Sequence, residues 1–125
     1  MVAVSYRCQD GRQVLTLPLK LESRANFRGH TRSRSHVKSI REQRGMTRIV
    51  LQSQAKKVQL PIRIKLTRIA PRTLDPNENL PMSFKSVVDG IADWLEVDDR
   101  SGLLCEYGQE KADTPNTYGC RIEIG

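Results

Sequence analysis

Apolar and polar positions alternate cleanly in two stretches of the chain. Across residues 14–21, Leu15, Leu17, Leu19 and Leu21 share one face, the period of two that marks a strand with one buried side. Pro18 inside that run predicts a sheet edge or a bulge. Across residues 58–69, Leu60, Ile62, Ile64 and Leu66 alternate with Pro61, Arg63, Lys65 and Thr67. One face is buried and the other solvated and basic, as in an antiparallel or mixed sheet.

Two other stretches carry a helical period. Phe84, Val87, Val88, Ile91 and Leu95 form an apolar stripe over residues 80–95. Asn79 stands at the N-cap position, and Pro81 falls in the first turn, where its missing N–H costs little. Trp94 borders the stripe as a core or dimer contact. Gly90 costs about 1 kcal/mol against alanine inside a helix, which predicts that another backbone approaches closely there. Over residues 29–54 the pattern is weaker: Val37, Ile40, Met46, Ile49 and Val50 make a thin apolar side, with Gly45 as a candidate break. Residues 103–107 and 118–124 read as closing strands around a loop at 108–116. The expected architecture is an α/β (α+β) sandwich in a single domain spanning residues 1–125. It has a small mixed sheet and two helices, in the order β-α-β-α-β-β.

Charge adds direction to that frame. Residues 1–72 hold 17 Lys/Arg against 3 Asp/Glu, whereas residues 73–125 hold 4 against 11. The basic part would attract phosphate backbones and release their counterions. His30, Arg34, Lys38 and Arg41 fall on one helical stripe, and Arg63 and Lys65 on the polar face of a strand. Like charges so spaced weaken an isolated helix, so the stripe makes better sense with phosphates against it. The low aromatic content, 5%, argues against a stacking platform for single strands. Cys8, Cys105 and Cys120 lack metal-site or disulfide spacing; Cys105 and Cys120 read as small buried hydrophobes. No run of 18 apolar residues is available to span a membrane, and no apolar leader opens the chain. A cytoplasmic protein with no membrane partner is the expectation.

The acidic part contains one concentrated group. Asp75 and Glu78 precede the second helix, and Asp98 and Asp99 follow it. Such residues are common helix-flanking devices, but carboxylates gathered at one point would also suit Mg²⁺, which takes one or two of them plus waters and a substrate phosphate. A helix of this length separates its ends by about 20 Å, so the groups meet only if the flanking loops fold back.

The run Leu74-Asp75-Pro76-Asn77-Glu78-Asn79-Leu80, followed by Lys85 and Asp89 on the next helix and by Val97-Asp98-Asp99, resembles the RusA-type Holliday junction endonucleases of bacteria and their prophages. The closing Tyr107-Gly108-Gln109 and Gly119-Cys120-Arg121-Ile122 are similar to that family's last two strands, and the likeness covers residues 14–124. It implies a homodimer that binds four-way DNA junctions and makes paired nicks with Mg²⁺, or with Mn²⁺ in its place. Carried over by position, Asp75, Glu78 and Asp99 would be catalytic metal ligands, with Asp98 as the alternative to Asp99, and Lys85 would contact the scissile phosphate. His30, Arg34, Lys38, Arg41, Arg63 and Lys65 would hold DNA. Glu78 stands where the family has aspartate, and the Asp75-to-Glu78 spacing is one residue longer than in the tightest family pattern. The alternative is therefore a catalytically impaired junction- or DNA-binding protein of the same fold.

Overall fold

A computed structural model of the chain describes residues 3–22 and 34–125, with Arg34, Ser35 and His36 described by their backbone. Its elements run β1 (Ser5–Gln9), β2 (Arg12–Leu17), α1 (Arg34–Gln54), β3 (Ile62–Ala70), α2 (Asn79–Ser83), α3 (Lys85–Leu95), β4 (Leu103–Lys111) and β5 (Gly119–Ile124). The chain is mixed α/β, with the five strands in the order β1-β2-β5-β3-β4. Among the described strands only β3 and β4 pair in parallel, which is why the chain between them must cross over through α2 and α3.

The register explains how alternation becomes a core. Tyr6, Leu15, Ile122, Leu66 and Tyr107 form one cross-strand row, and Gln13, Ile124, Ile64 and Cys105 lie in the next. Both rows face Leu51 of α1 and Phe84, Val87, Ile91 and Trp94 of the crossover, all of them buried. Burying each large apolar side chain contributes about 1.5–3 kcal/mol. Gln13, although polar, is satisfied inside: its amide accepts from Tyr6 Oη at 3.0 Å and from Lys56 N at 2.8 Å, and donates to Lys56 O at 2.8 Å.

Several expectations are corrected. β2 ends at Leu17 and lies between β1 and β5, so Pro18 marks the end of an inner strand rather than an edge. Leu19 and Leu21 are buried all the same, in extended chain beyond the strand. α1 runs unbroken through Gly45. Its inward face is carried by Thr47 and Leu51, while Ile49 is 57% exposed. The crossover contains two helices, because the chain turns at Phe84 (φ −92°, ψ 0°) between α2 and α3. These angles fall in the bridge region beside the helical one, and Val88 N still bonds to Phe84 O at 2.9 Å, so the apolar stripe keeps its phase across the break. β3 starts only at Ile62, after Pro61, which has no N–H to give a ladder. β4 continues to Lys111, shortening the expected loop.

Gly90 meets its expectation. A Cβ there would lie 2.7 Å from Arg44 O and 2.8 Å from Thr47 Cβ, so α1 and α3 touch backbone to backbone. Around that contact, Ser86 Oγ donates to Gln43 Oε1 at 2.7 Å and Gln43 Nε2 to Lys20 O at 3.0 Å. These bonds tie the two helices to the chain beyond β2.

Candidate acidic site and nucleic-acid interface

Asp75 and Glu78 lie together on the turn that starts α2. The Asp75 carboxylate accepts the backbone N–H of Glu78 at 3.0 Å and, more weakly, that of Asn77 at 3.4 Å. Asp75 thus closes the turn that leads into α2; the N-cap residue is Glu78, with no side-chain cap hydrogen bond, and Asn79, which the sequence suggested for that place, is the first residue of the helix. The segment is held from the sheet side, where Gln109 of β4 donates to Leu74 O at 2.9 Å and accepts from Leu74 N at 2.8 Å.

Asp98 and Asp99 lie at the other end of β4. Leu103 N bonds back to Arg100 O at 2.9 Å, anchoring the bend to the first residue of the strand. The stretch of β4 from Leu103 to Gln109 spans about 20 Å. Among the described residues no group of three or more His, Cys, Asp or Glu side chains converges on a point that could hold a metal. Asp99 is engaged locally: its Oδ1 accepts Ser101 N–H at 2.9 Å, and hydrogen bonds from Ser101 hold its carboxyl below the usual carboxylate range. Asp75, Glu78 and Asp99 form no such group among the described residues. Mg²⁺ takes one or two carboxylates with waters and a substrate phosphate, so Asp75 and Glu78 are the residues that could contribute to such a site.

Between the two acidic ends lies an ion network built on Asp89, whose side chain is only 15% exposed. Lys85 Nζ is 3.4 Å from Asp89 Oδ2, Arg100 Nη2 2.9 Å from Oδ1, and Arg44 Nη1 4.0 Å from Oδ2. Arg44 also forms a two-pronged pair with Asp93, at 2.6 and 2.8 Å, and this guanidinium pulls the Asp93 carboxyl below its ordinary range. Lys85, Asp89 and Arg100, with Pro81, Met82 and Tyr107, line an open cleft of about 400 Å³. Arg44 and Arg100 were not among the residues picked out by sequence. The available signal was scarcity: Arg100 is one of four cations in residues 73–125.

The predicted DNA contacts separate onto two surfaces. Lys38 and Arg41 are exposed on α1, Lys38 lying 3.8 Å from Glu42 one turn on. Arg34 opens α1, with its side chain outside the described residues, as is His30 entirely. Arg63 and Lys65 are exposed on the sheet face away from the helices, where Lys65 stands opposite Glu106 on one side and Glu123 on the other. Cross-strand pairs of that kind compensate each other. That face also carries the Arg121–Glu110 pair at 2.8 Å, so it is mixed in charge rather than basic. Lys38 and Arg41 therefore do not share one continuous basic surface with Arg63 and Lys65.

No protein-family model matches the chain, and no curated protein matches it. No helix among the described residues is long and apolar enough to cross a membrane.

Proposed function

We propose that this protein is a nuclease acting on branched DNA, of the junction-resolving kind its sequence resembles, with the helix layer as the DNA-facing side. The observation that supports this is the order of groups along the crossover. The Asp75–Glu78 pair stands at the start of α2, and Lys85 and Arg100 stand in the cleft that α2 and α3 flank. Lys38 and Arg41 lie on the neighbouring helix. A backbone phosphate entering that cleft would compete with Asp89 for Lys85 and Arg100, exchanging one anionic partner for another. The helix-layer cations would hold flanking phosphates, while the acid pair, anionic like the phosphodiester, would face it across a bound cation. Mg²⁺ bound at Asp75 and Glu78 would supply a Lewis acid and a source of hydroxide at neutral pH. Symmetric nicks require two sites related by a two-fold axis, so the proposal includes a homodimer.

A second reading, a junction-binding protein without cleavage, is favoured by the position of Asp98 and Asp99 at the far end of β4. One experiment separates the two. A labelled four-way junction and a linear duplex of the same sequence are incubated with the protein in Mg²⁺ or Mn²⁺. Paired nicks confined to the junction, lost in Asp75→Asn and kept in Asp99→Asn, are expected. Tight junction binding without nicks would leave the binding protein standing, and equal binding of junction and duplex would sink both readings.

A further inference from the structure

Arg68 lies on the core side of β3, in register with Gln109 and Cys120 of its two neighbours, and is 6% exposed. Its Nε donates to Leu21 O at 2.8 Å and its Nη1 to Arg72 O at 2.7 Å. Both acceptors are neutral carbonyls. No carboxylate lies within ion-pair distance of Arg68 among the described residues, and residues 1–2 and 23–36 contain neither Asp nor Glu. Taking a guanidinium out of water without a direct ion pair is unfavourable; burial lowers its affinity for the proton, opposed in part by Tyr118 and Glu22 nearby. An arginine stays charged in proteins nonetheless. The fold therefore retains a cation and leaves Nη2 outside both of these hydrogen bonds.

Arg68 lines an open groove of about 600 Å³ together with Lys20, Glu22, Arg72, Leu74 and Tyr118. The cations there outnumber the carboxylate, which is itself engaged: Glu22 lies 3.6 Å from Lys20 Nζ. The same ammonium lies 4.8 Å above the Tyr118 ring. The planar donor fork of arginine suits phosphate oxygens, and the groove is large enough to admit the sugar attached to the phosphate. We propose that this groove is a phosphate-binding subsite, with Arg68 at its base and Lys20 and Arg72 at its rim. Its Leu74 wall adjoins Asp75, so an occupant would sit beside the acid pair. The phosphate belongs either to a nucleic-acid backbone or to a small phosphorylated molecule. The backbone source rests on the DNA reading above; the phosphate site itself does not.

The test follows the Arg68 Nε–H resonance by ¹H–¹⁵N spectroscopy during titration with inorganic phosphate, a mononucleotide and a short DNA duplex. Arg68 is kept intact because it belongs to the core. Saturable movement of its resonance by phosphate is expected. Lys20→Gln with Arg72→Gln should weaken that binding about tenfold or more, as removal of charge-assisted hydrogen bonds predicts. Removing the same charge on the far sheet face, with Arg63→Gln and Lys65→Gln, should leave it nearly unchanged. Equal weakening by the two pairs, or a resonance unmoved by millimolar phosphate, would overturn the site. Movement by phosphate and mononucleotide but not by duplex would support the site while assigning it to a small molecule.

Discussion

At Gly90 a single methyl group would decide how α1 and α3 meet. Alanine is the better helix former by about 1 kcal/mol, which alone would make Gly90→Ala stabilising. The added carbon, however, would lie 2.7 Å from a backbone oxygen of α1, and overpacking of that kind costs about 1–3 kcal/mol. The second effect wins because a backbone carbonyl cannot rotate away. Urea denaturation should find the variant less stable by about 1 kcal/mol. The Arg44–Asp93 pair beside this contact governs a different observable. Arg44 depresses the Asp93 carboxyl in the folded state, so the pair stabilises fully above the unfolded carboxylate value of about 3.9. That contribution fades as the pH falls through the lower folded value. Arg44 and Asp93 are 46% and 31% exposed, which limits the effect to at most about 1 kcal/mol. Asp93→Asn should cost that amount at neutral pH, and the stability curves of variant and parent should converge in acid.

At the scale of elements, legibility in the sequence followed burial. β3 and α3 each bury one face against the core, so their side-chain periods were visible, and the close contact at Gly90 could be inferred from its cost. β1 was not legible because only Tyr6 among its residues is partly buried; its place in the sheet comes from backbone pairing with β2, which leaves no side-chain period. The far half of β4 escaped for the same reason. The break at Phe84 was hidden because the bond from Val88 N to Phe84 O preserves the spacing on both sides. In α1, the buried Thr47 is not an apolar signal, while the exposed Ile49 imitates one. The acid pair was legible as a site candidate, but its structural duty was not. Asp75→Ala should remove both hydrogen bonds at the turn before α2 and cost about 1 kcal/mol. Asp75→Asn keeps an acceptor oxygen and should lie within a few tenths of a kcal/mol of the parent. Thermal or urea unfolding of the two variants separates the carboxylate's role as acceptor from its role as charge.

For the whole molecule, the sequence revealed how unevenly charge is distributed along the chain but not how the fold divides it in space. A count along the chain cannot tell that Lys38 and Arg41 stand on one side of a sheet and Arg63 and Lys65 on the other. It also cannot tell that glutamates from neighbouring strands stand opposite Lys65. This division leads to an asymmetric expectation. Lys38→Gln with Arg41→Gln should reduce the slope of log junction affinity against log salt by about 2, one for each phosphate no longer neutralised. Arg63→Gln with Lys65→Gln should leave that slope almost unchanged. A fluorescence-anisotropy salt titration of both pairs checks this.

The position of β5 has a consequence in time. It is the final strand in sequence, yet it occupies the middle of the sheet, joining β2 to β3. During synthesis, β1–β2 and the β3-to-β4 crossover emerge as two pieces without a shared ladder. Leu15 and Leu66 then wait for Ile122, to which both are matched. Contacts of such long sequence separation form slowly. The nascent protein therefore passes through an interval in which the inner edges of both pieces are open to other chains. The strand that ends this interval is made after the other four of its sheet.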